Sequence, residues 1–226
     1  LPFCADLLKT PDLSIALMEN WEDKLQRMAE ITINEDVTNI AGVPSWTLVL
    51  LKRVLDLAGK TTINEVWPNL EVYFHGGVSF DPYASEFGQM IGKKLNYLEL
   101  YNASEGFFGI QDVNGSGELL LMLDYGIYYE FIPTDQIDRD FPETKQLNEV
   151  EIGKNYAVVI STNAGLWRYK IGDTIQFTSL NPYRIKVSGR TKHFINAFGE
   201  ELIIDNADHA IAHACAITSS AVKDYT

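Results

Sequence analysis

Strand and helix patterns alternate along the first 105 residues of this chain, and this alternation restricts the fold more than any other feature. Residues 45–59 and 81–91 carry apolar side chains at helical spacing. Residues 70–74 and 95–101 are instead apolar runs of the length of buried strands. Strands that alternate with helices form largely parallel sheets, with ligands gathered at the carboxyl ends of the strands. We therefore predict an α/β fold for this region.

Residues 12–29 are predicted to form one long amphipathic helix near the start of the chain. Asp12 is placed to cap its start, and Ser45 is placed in the same way before the helix that ends at Gly59. A brief β-like run at 37–40 lies between the two helices. The apolar positions of the first helix are Leu13, Leu17, Trp21, Leu25 and Met28.

Closely spaced strand patterns follow residue 106 and predict a β-rich subdomain. The charged segment 133–149 is predicted to be an exposed connection within it. Beyond residue 188 a short strand and a helix opened by Asp205 indicate the start of a separate small domain. The predicted strands of the subdomain are 107–111, 119–123, 127–132, 156–161, 166–169, 174–178 and 183–187.

Composition predicts a soluble globular protein that binds small molecules rather than polymers. The chain has 226 residues, 46% of them hydrophobic, and a net charge of −13 that repels the phosphate backbone of a nucleic acid. Its two cysteines, Cys4 and Cys215, have neither disulfide nor zinc spacing, which favours a reducing cytoplasm. No apolar run approaches the roughly 20 residues that span a bilayer, so no membrane partner is expected. The oligomeric state does not follow from the sequence.

Two short polar motifs suit a bound nucleotide when they occur together. In the first, the Tyr101 ring can stack on adenine, the Ser104 hydroxyl can reach a phosphate and the Glu105 carboxylate can hold Mg²⁺. In the second, Asp173 follows the turn residue Gly172 and can accept both ribose hydroxyls. Each motif alone has a plainer interpretation, a solvated strand end for the first and a hairpin turn for the second. Together they indicate an enzyme that adenylates a carboxylic acid.

The order and spacing of six motifs resemble those of the plant acyl acid amido synthetases that conjugate auxin and jasmonate, and of their bacterial relatives. This family is a branch of the adenylate-forming superfamily, which includes acyl-CoA synthetases and luciferases. The resemblance runs from residue 37 to residue 202. Asn102 and Ala103 depart from the family's Tyr-Ala-Ser-Ser-Glu, and Lys170 replaces its usual arginine, which keeps the charge but not the planar fork. The six motifs are residues 67–69, 76–77, 101–105, 126–133, 165–173 and 188–190.

The resemblance implies part of an adenylate-forming N-terminal domain and the start of a small α+β C-terminal lid. It divides the chain into an α/β part at 1–105, a β-rich subdomain at 106–187, and the hinge with the start of the lid at 188–226. The family's Ser/Thr/Gly-rich loop, which grips the triphosphate, has no counterpart before Tyr101. We therefore expect this piece to have little or no turnover by itself, although the complete protein is an enzyme.

The same resemblance implies roles for single residues around ATP and its product AMP. Tyr101 would stack on adenine, Ser104 would contact phosphate, and Glu105 would coordinate Mg²⁺ and take part in catalysis. Asp173 would bind the ribose hydroxyls, and Arg190 would reach the ribose or a phosphate. The plainer alternatives are core packing for Tyr101 and a surface ion pair for Arg190.

Further positions extend this candidate site. The Gly76-Gly77 loop would lie against the adenine edge, where missing side chains permit close approach. Lys192 matches the hinge of the lid and is assigned to catalysis, and Tyr169 is a further nucleotide-binding candidate, with core packing as its alternative. Val43 and Trp46 are candidates for an apolar acyl pocket, and core packing is an equal alternative for Trp46.

The implied chemistry overcomes the poor electrophilicity of a carboxylate. The acid attacks the α-phosphorus of ATP, pyrophosphate leaves, and the amine of an amino acid then displaces AMP from the acyl-adenylate. Coenzyme A as the acceptor, a non-catalytic nucleotide- or acyl-binding module, and a structural fragment without a ligand remain as alternatives. His209 and His213 have a spacing that zinc can use but no acidic third ligand nearby, so no metal other than Mg²⁺ is expected.

Overall fold

The computed structural model divides the described chain into two compact units. It describes residues 8–191, 195–197, 200–202, 204–218, 220 and 222. Among these, the first unit comprises mainly the chain up to His75 together with Tyr83–Tyr97. The second unit comprises Gly76–Pro82 and the chain from Leu98 to Ser220. The domain boundaries predicted at residues 105 and 187 stay predictions.

Parallel pairing is found in the first unit. Strands β1 and β2 run parallel, with Asn39 opposite Val72 and Gly42 opposite His75. This pairing and the helices beside it confirm the predicted α/β fold class, and the helix predicted over 81–91 has those bounds. The elements up to residue 91 are α1 Leu13–Ala16, α2 Trp21–Thr32, β1 Asn39–Gly42, α3 Pro44–Ala58, a 3₁₀ turn at Ile63–Glu65, β2 Val72–His75 and α4 Asp81–Ile91.

Two large buried side chains in the core of the first unit, Trp67 and Tyr73, donate hydrogen bonds to backbone carbonyls. Trp67 is buried, and its Nε1–H donates to the carbonyl of Thr32 at 2.7 Å. The Tyr73 hydroxyl donates to the carbonyl of Gly42 at 2.9 Å, and its ring stacks on Phe87 with centroids 4.9 Å apart. These bonds offset the desolvation of an indole and a phenol in an apolar interior.

The second unit is built on an antiparallel sheet, as the closely spaced strand patterns predict. Its strands lie in the order β3-β4-β5-β9-β8-β7-β6, and every neighbouring pair is antiparallel. The strands are β3 Asn96–Ala103, β4 Gly106–Ile110, β5 Leu119–Leu121, β6 Ile127–Pro133, β7 Asn155–Thr162, β8 Tyr169–Leu180 and β9 Tyr183–Arg190.

One face of this sheet carries an apolar core rich in aromatic rings. Phe131 lies at its centre, 5.1 Å from Phe177 and 6.2 Å from Tyr156 between ring centroids. Such edge-to-face contacts add to the stabilisation that burial provides. The remaining described elements are 3₁₀ turns at Thr134–Gln136 and Leu147–Glu149, the hairpin of β10 Ile195–Ala197 and β11 Glu200–Leu202, and helix α5 Ile204–Thr218.

The prediction of one helix over 12–29 is wrong, because the chain forms α1 and α2 with a break between them. Asp12 does cap α1, as predicted, by accepting from the amides of residues 14 and 15. Asn20 then caps α2 by accepting from the amides of residues 22 and 23. An asparagine that bonds to the following amides favours a helix start over a helix interior, so α2 begins anew at Trp21 after α1 has ended at Ala16. Leu13 and Leu17 are consequently exposed.

Two other boundaries also differ from their predictions. Helix α3 begins at Pro44 rather than after a cap at Ser45, since proline is preorganised for the first helical position. No strand forms over 166–169, because Gly165 and Arg168 have φ values of 103° and 47°, which are incompatible with extended pairing. Strand β8 instead starts at Tyr169 and continues through the segment predicted at 174–178.

Candidate nucleotide site

An irregularity in β8 places the carboxylate of Asp173. Thr174 pairs with Ala157 and Lys170 pairs with Val159, so three residues of β8 face a single residue of β7. Gly172, inside this bulge, has a φ of 94°, which only glycine adopts without strain. The amide of Thr191 donates to the carbonyl of Gly172 at 2.8 Å and fixes the bulged backbone. Asp173 therefore has a defined position with its side chain only 9% exposed.

Tyr101 of β3 contacts this carboxylate although it lies 72 residues away along the chain. Its hydroxyl donates to Asp173 Oδ2 at 2.9 Å. The tyrosine is 8% exposed, and its ring lies 5.0 Å from that of Phe108 between centroids. Burial, followed by the charge of Asp173 and the hydrogen bond to it, raises the pKa of the Tyr101 hydroxyl well above its ordinary value. The hydroxyl thus keeps its proton and remains a donor at neutral pH.

Arg190 of β9, the strand next to β8, completes the cluster. It stands directly opposite Asp173 in the strand register, and its Nε lies 3.0 Å from Asp173 Oδ1. Its side chain is 64% exposed, whereas the carboxylate is nearly buried. Three residues selected from the sequence for nucleotide binding, Tyr101, Asp173 and Arg190, are therefore brought together by three strands. For Tyr101 the core-packing alternative is also observed, and for Arg190 the ion-pair alternative.

Ser104 and Glu105 form the turn between β3 and β4. Ser104 is exposed and Glu105 is half-buried. Within the part of the chain that the structure describes, neither side chain makes a hydrogen bond or an ion pair. Both groups are consequently available to a ligand at the end of the strand that carries Tyr101.

The Gly76-Gly77 loop lies against β3 in the same unit. A Cβ on Gly76 would collide with the backbone carbonyl of Leu100, so only glycine fits this position. Gly77 has a φ of 84°, and residues with a Cβ rarely adopt a positive φ. The protein's own backbone therefore requires these glycines, and the approach of the loop to adenine stays a prediction.

Tyr169 and Lys192 are not part of the observed cluster. Tyr169 opens β8 opposite Ile160, is 41% exposed, and makes no contact with Asp173 that the described residues record. Lys192 lies outside the described residues. Their assignments stay predictions.

The acyl-pocket candidates belong to the first unit. Trp46 is 62% exposed, so its core-packing alternative is wrong, and its ring lies 5.9 Å from that of Trp21. Val43 precedes Pro44 as the residue that caps α3. A groove of about 500 Å³ runs beside the two indoles, and its lining residues are Met18, Glu19, Trp21, Lys24, Trp46 and Val49.

A polar network next to the site escaped the sequence analysis. Arg168 Nε donates to Glu130 Oε2 at 2.9 Å, and the Thr144 hydroxyl donates to Glu130 Oε1 at 2.8 Å. The amide of Arg168 donates to Ser161 Oγ at 3.0 Å. These bonds hold the turn that leads into β8. Arg168 and Glu130 lie within the motifs 165–173 and 126–133, but the sequence does not show that these two residues pair.

Every helix among the described residues is too short or too polar to cross a lipid bilayer.

Two domain models of one family match the chain. The GH3 family N-terminal domain matches residues 1–96, and the GH3 family central domain matches residues 120–190. The second match contains Asp173 and Arg190 of the observed cluster. Together the two matches span most of the chain.

Curated relatives agree with these matches. An indole-3-acetic acid-amido synthetase of Arabidopsis thaliana is 28% identical over 180 residues, which cover 72% of this chain and 30% of that protein. A jasmonoyl–L-amino acid synthetase of Nicotiana attenuata is 32% identical over 123 residues, which cover 50% of this chain and 21% of that protein. The chain therefore spans less than a third of the length of either relative.

Solved structures with similar backbones include an amido synthetase and a CoA ligase. An acyl acid amido synthetase superposes with a TM-score of 0.66 at 18% identity, covering 89% of this chain and 46% of that one. A 2-hydroxyisobutyryl-CoA ligase, in the postadenylation state with R3-HIB-AMP, gives 0.62 at 15% identity and covers 86% and 41%. At these identities the likeness shows a shared fold.

Proposed function

This chain belongs to the GH3 family, and we propose that the protein uses ATP to adenylate a small carboxylic acid and then transfers the acyl group to the amine of an amino acid. The observation that carries this proposal is the cluster of Tyr101, Asp173 and Arg190. A nucleotide offers an aromatic base, a ribose cis-diol and negative phosphates. An aromatic ring, a carboxylate and a guanidinium are the matching protein groups.

Asp173 is the group that we assign to the ribose. Among the described residues each of its two oxygens has one partner, the Tyr101 hydroxyl on Oδ2 and Arg190 on Oδ1. Each carboxylate oxygen has two acceptor sites, so both retain capacity for a hydroxyl of the sugar. The exposed guanidinium of Arg190 lies next to them, where it would add a charge-assisted bond to the ribose or a phosphate.

The adenine is assigned to the Gly76-Gly77 loop and to Tyr101, whose ring is 8% exposed, so stacking requires the base to lie on the small part of the ring that the core leaves open. Gly76 packs too closely on the β3 backbone to carry a side chain, so the loop offers bare backbone to the edge of a base. Tyr169 is a second aromatic candidate, with a ring that is 41% exposed. Stacking on either ring remains part of the proposal.

The donor set of the 104–105 turn fits a magnesium ion. Mg²⁺ prefers hard oxygen ligands and is bound in nucleotide sites by one or two carboxylates together with phosphates. Glu105 supplies a carboxylate without another partner among the described residues, and Ser104 supplies a hydroxyl for a phosphate beside it. When bound there, Mg²⁺ would neutralise charge that develops on the phosphates during the transfer.

The acid is assigned to apolar residues of the first unit. Trp46 has the exposure that a binding residue needs, and it lies next to Trp21 in a mostly apolar groove. Val43 lies at the start of the same helix. We propose these two residues as contacts of the acyl group, because ligand pockets are lined mainly by apolar and aromatic side chains.

Pyrophosphate release by the complete protein tests the function. A panel of aromatic and aliphatic acids, with ATP and Mg²⁺, is expected to release pyrophosphate in an acid-dependent manner, and mass spectrometry should find the acid as an amide after an amino acid is added. Coenzyme A in place of the amino acid tests thioester formation. The Asp173→Ala variant should lose activity by about a hundredfold or more, in the range of charged groups that contact a substrate.

Asp112→Ala is the matched control for that variant. Asp112 also pairs with an arginine of β9, Arg184, with Nη2 3.0 Å from Oδ2, but lies outside the cluster. Its loss should leave the activity per folded molecule unchanged. No acid-dependent pyrophosphate release under any of these conditions would overturn the proposed function.

A further inference from the structure

We infer that the hydroxyl of Tyr101 is a positioning group for the Asp173 carboxylate, and that selectivity for the ribose depends on this hydroxyl rather than on the ring alone. The inference rests on the proposed function, since it specifies how the proposed nucleotide site recognises the sugar. It separates two properties of one side chain, an aromatic surface and a hydrogen-bond donor.

The first ground is that the backbone of Asp173 is already fixed while its carboxylate is not. The bulge at Gly172 and the bond from the Thr191 amide define where residue 173 leaves the strand. Neither of these contacts reaches the carboxylate oxygens. Their orientation is set by the groups that bond to them, which are Tyr101 and Arg190.

The second ground is the difference between those two partners. Arg190 is 64% exposed, and an exposed guanidinium loses much of its hold on a carboxylate to water and to its own rotamer entropy. Tyr101 is 8% exposed and packed against Phe108, so its hydroxyl is held in place before the bond forms. The donor that restrains the carboxylate most is therefore Tyr101.

The third ground is that the Tyr101 hydroxyl stays a protonated hydrogen-bond donor and does not become a charged acceptor. Its pKa is raised by burial and by the adjacent carboxylate, so it stays a donor and does not add a competing charge. A carboxylate fixed in this way presents its remaining acceptor sites in one arrangement to the two ribose hydroxyls. A carboxylate free to rotate must be ordered each time a nucleotide binds, which weakens binding.

The structure offers a matched pair of substitutions for the test. Tyr101→Phe keeps the ring and removes the hydroxyl that contacts Asp173. Tyr129→Phe removes a comparable hydroxyl, from a residue that is 4% exposed, that donates to the Met122 carbonyl at 3.0 Å and whose ring contacts the same Phe108. Each variant loses one buried hydrogen bond in the same core. The bond lost in Tyr101→Phe is the one to Asp173, and the bond lost in Tyr129→Phe is not.

Calorimetric titration of the full chain with AMP and with 2′-deoxy-AMP measures the effect. We expect Tyr101→Phe to weaken AMP binding by about tenfold or more, the size expected for a bond to a charged group, and to weaken 2′-deoxy-AMP binding much less. The preference for AMP over the deoxynucleotide should therefore fall in Tyr101→Phe and persist in Tyr129→Phe. A general loss of packing would lower both affinities alike and leave that preference intact.

The outcomes separate this inference from the function beneath it. Wild-type protein that binds neither nucleotide, or binds both equally, overturns the proposed ribose site and the inference with it. Wild-type preference for AMP that is lost in Asp173→Asn but kept in Tyr101→Phe overturns the inference alone.

A double variant keeps the test decisive if Tyr101→Phe does not fold. In Tyr101→Phe the nearly buried charge of Asp173 has lost its main hydrogen-bond donor, and this loss destabilises the fold. The second substitution, Asp173→Asn, removes that charge. Adding Tyr101→Phe to Asp173→Asn should not change AMP affinity further, because no carboxylate is left to position. A further tenfold loss in that background would show that the hydroxyl acts independently of residue 173, and would overturn the inference.

Discussion

Arg168 donates from Nε to Glu130 Oε2 at 2.9 Å, and this bond joins the turn before β8 to strand β6. Arg168 also has a φ of 47°, a conformation that costs a non-glycine residue about 1 kcal/mol. The turn is therefore maintained by its side-chain contacts, which lie four residues or more before Asp173. Contacts that stabilise this turn therefore also stabilise the start of β8, the strand that carries Asp173.

Glu130→Ala should lower the free energy of unfolding by about 1–2 kcal/mol, because Glu130 is 14% exposed at its side chain and accepts from both Arg168 and Thr144. Urea unfolding measures the change. Glu151→Ala is the control, since the Glu151–Lys154 pair is exposed on both sides and should contribute much less to stability. Equal losses in the two variants would contradict a structural role for the Arg168 contact.

Gly76→Ala should destabilise the protein by about 1–3 kcal/mol, since the added methyl would collide with the Leu100 carbonyl and the strand cannot yield as a side chain can. It should also weaken AMP binding. Gly88→Ala has the opposite expectation, because nothing lies within 4 Å of a Cβ at that helical position and alanine favours a helix by about 0.5–1 kcal/mol over glycine. Thermal unfolding measures the difference: relative to the wild type, the melting temperature should fall in Gly76→Ala and rise in Gly88→Ala. A Gly76→Ala variant as stable as the wild type would contradict the close approach.

Local patterns in the sequence were sufficient for most element types, but not for the strand predicted at 166–169 and not for every boundary. The helix over 81–91 follows from apolar spacing, and the β-rich character after residue 106 follows from short apolar runs. The break before Trp21 depends on whether Asn20 bonds to the following amides or faces solvent inside a helix, and apolar spacing does not distinguish these states. The long β8 likewise depends on its neighbours β7 and β9, which are tertiary context.

For the candidate site too, some features could be predicted from the sequence and others depend on tertiary contacts. Residues 101, 173 and 190 were nominated for nucleotide binding from their motifs together with the family resemblance, and that role stays a proposal. That the Tyr101 hydroxyl donates to Asp173 could not be read from the sequence, because the two are 72 residues apart and meet only through the strand order of the sheet. The exposure of Trp46 was equally open, since its helix has apolar residues on more than one side.

Glu105→Gln should reduce pyrophosphate release by the complete protein by about a hundredfold and raise the Mg²⁺ concentration needed for half-maximal rate, because an amide is a much poorer ligand for Mg²⁺ than a carboxylate. Its effect on stability should be less than about 0.5 kcal/mol, as the side chain has no partner among the described residues. Glu118→Gln, in the neighbouring β4–β5 connection, serves as the control with no expected effect on rate. An unchanged magnesium dependence in Glu105→Gln would remove Glu105 from the metal site.

Glu99 and Glu65 are predicted to change stability with pH in opposite directions. Burial, and then the charge of Asp81, raises the pKa of Glu99, with Lys186 opposing. The stability that Glu99 contributes is therefore fully present below the ordinary carboxyl pKa of 4.5 and is lost as pH rises through the raised value. Glu99→Gln should accordingly raise the melting temperature at pH 7 and should match the wild type at acid pH.

Glu65 provides the reverse case in the same protein. The amide of Thr62, which donates to Glu65 in a capping box, and then the hydroxyl and amide of Thr61, lower the pKa of its carboxyl. Its stabilisation is thus present above pH 4.5 and is lost as pH falls through the lowered value, so Glu65→Gln should lower the melting temperature at pH 7 and match the wild type in acid. Calorimetric melting of both variants from pH 3 to pH 7 measures the two trends. Shifts of the same sign at pH 7 would contradict at least one of the two environments.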